Sequence, residues 1–241
     1  MFFLMIAAPA RKFVLFGALH LSILAITILL PYALSHLTRR AERPQVGRIL
    51  AGVLSVILLS DRIFSVTWGY HEHRITRWVD ALPMHLCDWA SIAVMIALVW
   101  RQQLLYELAY FWGLAGTLQA VLTPDLSDQF PNPFFISFFV EHCGIIVAVL
   151  FMTWGLGMRP LPGALWRAIL WTQVYVVCAG ALNWMAATNY GYLAHKPSHG
   201  SLLDFCGPWP WYILVLEGLS FILFSLLYLP FLGRAKRPAP A

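Results

Sequence analysis

Cys87 and His142 are the side chains in this sequence best suited to covalent chemistry. Cys87 lies in "LPMHLCDWA", between His85 and Asp88, at the mouth of the apolar run SIAVMIALVW; His142 lies in "FFVEHCGII", inside another apolar run. Thiol, imidazole and carboxylate are expensive to place in hydrocarbon, so an ionisable group within such a run is a functional hypothesis by default. The chemistry these types suit is acyl transfer. A free thiol is mostly protonated at neutral pH, and a helix N-terminus together with a nearby imidazole favours the nucleophilic thiolate. A thiolate attacks an ester carbonyl and holds the acyl group as a thioester, while the imidazole serves as base and then as acid.

The elements that must position these groups are membrane spans. The chain has 241 residues, 60% hydrophobic and 11% charged, with a mean hydropathy of +0.72, whereas a soluble domain carries about a quarter charged residues. Seven apolar segments stand out, at 13–34, 46–66, 83–100, 104–122, 133–155, 163–186 and 210–232. A helix needs about 20 apolar residues to cross a bilayer, so the expected fold is all-α, a polytopic membrane helix bundle with about seven transmembrane helices in one domain, 1–241. Pro83, Pro133, Pro162 and Pro210 each suit a first helical turn, where the missing N–H costs nothing. The opening "MFFLMIAAPA" reads as an interfacial lead-in, because it lacks a basic region. No phosphate loop, zinc pattern or nucleic-acid motif is visible, and the four scattered cysteines imply no disulfide framework.

An odd number of spans puts the termini on opposite sides, here the N-terminal side A and side B. Side B collects Arg39, Arg40, Arg43, Arg48, Arg101, Arg159, Arg167, Arg234, Lys236 and Arg237; side A has fewer, although Arg11 and Lys12 oppose the trend. The positive-inside bias makes side B cytoplasmic and leaves the N-terminus outside. The expected location is a bacterial cytoplasmic membrane.

The polar residues in the spans gather toward side A: Asp61 and Arg62 in the second, His85, Cys87 and Asp88 in the third, Glu141 and His142 in the fifth, Asn183 in the sixth and Glu217 in the seventh. Near side B there is little beyond Glu107. The clustering implies a polar cavity opening to side A. Within the third span, His85 and Cys87 are two apart and point in nearly opposite directions, while His85 and Asp88, three apart, are placed to pair. Cys87 then needs its base from another helix, and His142 is the histidine inside one. Cys87 lies about 6 Å past Pro83 and His142 about 14 Å past Pro133, so their depths match only if the fifth span begins above the membrane or tilts. Asp88 opposes a thiolate unless Arg62 or His85 neutralises it.

Blander readings stand beside these. Cys87 alone reads as a packed membrane cysteine. Asp61, Arg62 and Glu217 suit plain interhelical contacts, and His71 and His73 suit a solvated turn. The tryptophans and tyrosines near span ends, including "GPWPWY", suit an interfacial belt.

The words "LPMHLCDWA", "YFWGLAGTLQAVLTPDL", "FFVEHCGII", "ATNYGYLAHKP" and "SLLDFCGPWPWYIL" resemble the YwaF-like family of bacterial integral membrane proteins, whose animal relative is transmembrane protein 164. The match runs from about residue 80 to residue 215. Because that relative is described as a cysteine-dependent acyltransferase moving fatty acyl chains between phospholipids, the resemblance implies a nucleophile at Cys87 and a partner at His142. It also suggests lipid-handling roles for His85, Asn189, Tyr190, Lys196 and the "GPWPWY" segment.

The resulting expectation is a membrane enzyme that transfers or hydrolyses acyl chains of a phospholipid or lysophospholipid. Cys87 is the nucleophile and His142 the base. Asn183 orients His142 or donates to the oxyanion, Arg62 and Asp88 support the site, and no metal or cofactor is required. Two alternatives remain open: a transporter or lipid-binding protein whose cavity merely carries polar groups, and a metal-dependent hydrolase using His85, His142, His195 and His199. A bond between Cys206 and Cys87 would silence the nucleophile.

Overall fold

The computed structural model describes residues 13–41, 43–124, 126, 128–197 and 202–232. The lead-in segment, Arg11, Lys12, His199, Arg234, Lys236 and Arg237 lie outside the described residues. Among the described residues eight α-helices follow one another: α1 (Ala18–Arg40), α2 (Pro44–His71), α3 (Leu86–Trp100), α4 (Gln103–Phe111), α5 (Leu118–Leu122), α6 (Pro133–Trp154), α7 (Ala164–Ala186) and α8 (Trp211–Tyr228). Five helical stretches are long and apolar enough to cross a membrane, namely α1, α2, α6, α7 and Trp211–Phe231, and α3 is a shorter apolar helix of 15 residues. The fourth predicted span, 104–122, is broken: between α4 and α5 the chain widens into a π-helical segment, Trp112–Thr117.

Local chemistry sets most helix starts. Pro44 and Pro133 occupy the first turn of α2 and α6, and the Asn132 side chain accepts the Phe134 N–H at 2.8 Å, a cap worth about 1 kcal/mol. Arg39 and Arg40 close α1, where their charge complements the helix C-terminus. Pro83 does not open α3 as the spacing predicts. The helix starts three residues later, because His85 and Asp88 form a capping box that satisfies the first amides: the Asp88 carboxylate accepts the His85 backbone N–H at 2.8 Å. Pro162 and Pro210 likewise precede their helices, behind Gly163 (φ 82°) and as the cap residue of α8 respectively.

Helix α6 runs through the middle of the bundle and touches α1, α2, α3, α4 and α5. Gly113 in the π-segment brings that strand of backbone against Ile145 and Val149 of α6, and a Cβ there would meet Ile145 at 3.0 Å. Trp112 is buried and its indole N–H donates to Thr172 Oγ1 on α7 at 2.9 Å. The outer helices α7 and α8 pack on α4, on the π-segment and on each other.

At the side B end, Glu107 is fully buried. It accepts from Arg167 Nε at 2.8 Å and Nη2 at 2.9 Å, from the Leu161 N–H at 3.0 Å and from Gln103 Nε2 at 2.8 Å. A buried carboxylate is tolerable when every lone pair has a donor. This cluster ties α4, the α6–α7 loop and α7 together.

Candidate active site

The side A halves of α2, α3 and α6 converge as the polar pattern implies. Arg62 Nη1 reaches Asp88 Oδ1 at 2.7 Å and its Nη2 donates to Ala81 O at 3.1 Å. Next to it, Asp61 Oδ2 accepts from Ser137 Oγ of α6 at 3.1 Å. Cys87, the second residue of α3, is half-buried, forms no disulfide and packs on the main core. It lies within electrostatic reach of Glu141 and Asp88. A bond to Cys206 therefore does not occupy the thiol.

His142 is buried on α6, with its ring stacked on Phe138 at 4.1 Å between centroids. Its Nδ1 lies 2.7 Å from Phe138 O. A carbonyl only accepts, so Nδ1 carries the proton and Nε2 keeps the lone pair that a general base needs. His85 lies within electrostatic reach of His142. These contacts bear on the depth mismatch: Glu141 stands near Cys87, and His142 near His85, the cap residue of α3.

Two expected pairings are corrected. Asp88 meets His85 through the backbone N–H, and its other oxygen goes to Arg62. It is Arg62 that neutralises this carboxylate; the imidazole instead faces Tyr190 edge-on at 5.0 Å and takes the Gly191 N–H on Nδ1 at 3.4 Å. Asn183 turns to the chain that follows α7 rather than to His142. Its Oδ1 accepts the Tyr190 N–H at 2.7 Å and Thr188 Oγ1 at 2.8 Å, and its Nδ2 donates to Tyr190 O at 2.9 Å. The amide holds the chain that follows α7.

That chain forms a strap over side A. A 3-10 turn, Tyr190–Tyr192, passes above α3, where the Tyr190 hydroxyl donates to Val79 O and the Tyr212 hydroxyl to Tyr192 O. Asn189 organises the strap beyond it, accepting from the Ala194 and His195 N–H groups at 3.1 and 3.0 Å. Lys196 places its ammonium 5.6 Å from the Tyr212 ring centroid, within cation–π range. A cleft of about 370 Å³ opens here, lined by Arg77, Asp80, His85, Asn189, Tyr190 and His195 among others. Hydrogen bonds from Arg77 hold the Asp80 carboxyl below its ordinary range, and burial raises the Tyr190 phenol.

Glu217 does not join this cluster. It accepts from Gln173 Nε2 at 2.6 Å and links α8 to α7, the plain interhelical contact the residue types also allowed. Among the described residues no group of three or more His, Cys, Asp or Glu is placed to hold a metal ion.

Several helices of this length and hydropathy define a multi-pass integral membrane protein. The family model for the TMEM164 family matches residues 15–228. The chain belongs to that family. A protein of Treponema pallidum (strain Nichols), described as uncharacterized, is 28% identical over 232 residues, spanning 93% of this chain and 92% of its own length. No solved structure matches the chain.

Proposed function

We propose that the protein is a membrane acyltransferase or acyl hydrolase acting on phospholipid esters, with Cys87 as nucleophile and His142 as general base. The observation that carries this reading is the tautomer of His142. Its Nδ1–H is committed to Phe138 O, which leaves the Nε2 lone pair unprotonated, and His142 lies near His85, the residue that caps the helix Cys87 opens. The reaction balances without a cofactor. Nε2 takes the thiol proton, Sγ bonds the ester carbonyl carbon, and the tetrahedral oxyanion collapses to a thioester as the glycerol oxygen leaves with the proton from His142. A lysophospholipid hydroxyl, or water, then repeats the steps in reverse.

The one-sided site and the arginines at the opposite end support an orientation with the strap outside and the C-terminus cytoplasmic, in a bacterial cytoplasmic membrane. The test is to incubate the protein in liposomes with a phospholipid and a lysophospholipid of distinguishable chains, following acyl exchange and free fatty acid by mass spectrometry. Exchange or hydrolysis that falls at least about 100-fold in Cys87→Ala and His142→Ala supports the reading. Unchanged rates in both variants overturn it.

A further inference from the structure

The Tyr175 hydroxyl, on α7, is the polar group whose environment the fold leaves without a structural explanation. The residue is 3% exposed, and its oxygen has no hydrogen-bond partner among the described residues. A buried hydroxyl without a partner keeps its full desolvation penalty, so such a group calls for a reason. Its position supplies one. The ring packs edge-on against Trp89 of α3 at 5.4 Å between centroids, and the hydroxyl faces the Leu86 backbone N–H within electrostatic reach of Cys87. Leu86 is the first residue of α3, so that N–H has no partner within its own helix.

The strap is shaped around this hydroxyl. Gly191 has φ 63°, and a Cβ there would overlap the Tyr175 oxygen. Only glycine lets the backbone turn so close above it. Tyr190 and Tyr192, which flank Gly191, and His85 on α3 line the cleft that opens to side A. The hydroxyl lies directly beneath Gly191 of the strap, Leu86 packs with the same ring, and the thiol next along α3 is an electrostatic neighbour.

We infer that Tyr175 is a catalytic residue, its O–H and the Leu86 N–H together holding the oxyanion that forms when Cys87 attacks the ester carbonyl. This rests on the acyl-transfer reading above. Among the described residues nothing accepts from this O–H, so its donor capacity is realised only when charge develops on the carbonyl oxygen. Interactions made only in the transition state raise kcat and leave substrate binding unchanged. No proton leaves Tyr175; it donates a hydrogen bond to the oxyanion until the thioester forms and the C=O bond is restored.

The test is Tyr175→Phe, which keeps the ring and removes only the oxygen. Acyl exchange in liposomes is expected to show kcat about 10²- to 10³-fold lower, the loss typical of one oxyanion donor, with KM within twofold. Because alkylation by iodoacetamide forms no oxyanion, the rate at which Cys87 is labelled should not change. The melting temperature in detergent should stay level or rise, since the variant removes an unsatisfied group. Gly191→Ala, which displaces the hydroxyl from the strap side, should lower kcat in the same direction. A Tyr175→Phe protein with kcat within threefold of wild type, while Cys87→Ala is inactive, overturns the inference and leaves the acyl-transfer reading standing. So does parallel loss of labelling and turnover, which would mark a packing role. Exchange that survives Cys87→Ala overturns the underlying reading and this inference with it.

Discussion

Arg62 on α2 and Asp88 on α3 meet at 2.7 Å, Nη1 to Oδ1, one residue along the helix from the Cys87 thiol. The carboxylate is 4% exposed and the guanidinium 30%, so the pair is desolvated on one side only. Asp88 also caps α3 through the His85 N–H. The contact fastens two helices and cancels a charge that would oppose a thiolate beside it.

Arg62→Ala is accordingly expected to do two separable things. Labelling of Cys87 by iodoacetamide at pH 7 should slow by about tenfold, because an unneutralised carboxylate opposes a second negative charge nearby, a coupling of about 1–2 kcal/mol. Stability should fall by about 1–3 kcal/mol, less than for a fully buried pair because water reaches the arginine. Arg62→Lys should restore part of both. Labelling kinetics and thermal denaturation in the same detergent read the two effects.

Asn183 makes a different prediction, because its amide clamps the Tyr190 peptide on both sides. Asn183→Ala should free the strap without touching the thiol. Amide hydrogen exchange at residues 188–193 should accelerate by tenfold or more, the loss of about two net hydrogen bonds, and acyl exchange should suffer mainly in KM. Protection that persists in the variant would show that Tyr190 and Tyr212 hold the strap alone.

Glu107 gathers its donors at the opposite end of the bundle. Glu107→Ala strands the Leu161 N–H and the Arg167 guanidinium. Because Arg167 is 40% exposed and Glu107 fully buried, the loss should fall at the lower end for a broken buried pair, about 3 kcal/mol. Thermal denaturation should show it, while turnover measured below the melting transition should be unchanged. A variant that melts normally but is inactive would move the functional centre toward side B.

The spans were legible because hydropathy dictates them, and the polar clustering toward side A because ionisable residues in hydrocarbon need one another. Three features were not. Pro83 looks like a helix start, yet a carboxylate three residues beyond His85 satisfies the first amides and wins. The π-segment has no signature beyond two glycines in "WGLAGT", and its widening depends on how closely α6 approaches Gly113. Tyr175 reads as one more aromatic in an apolar helix, and only the packing of Gly191 against its hydroxyl distinguishes it. Asn183 was found as a residue of interest, but its partners lie beyond the helix it ends, where spacing says nothing.

The central claim is that the Cys87 sulfur carries the acyl group. Intact-protein mass spectrometry, after brief incubation with phospholipid and acid quench, tests this directly. The account predicts a mass increase of one acyl chain, released by neutral hydroxylamine, located on the peptide containing Cys87 and absent from Cys87→Ala. Acyl exchange that proceeds with no such adduct in the wild type, or an equal adduct in Cys87→Ala, would contradict it.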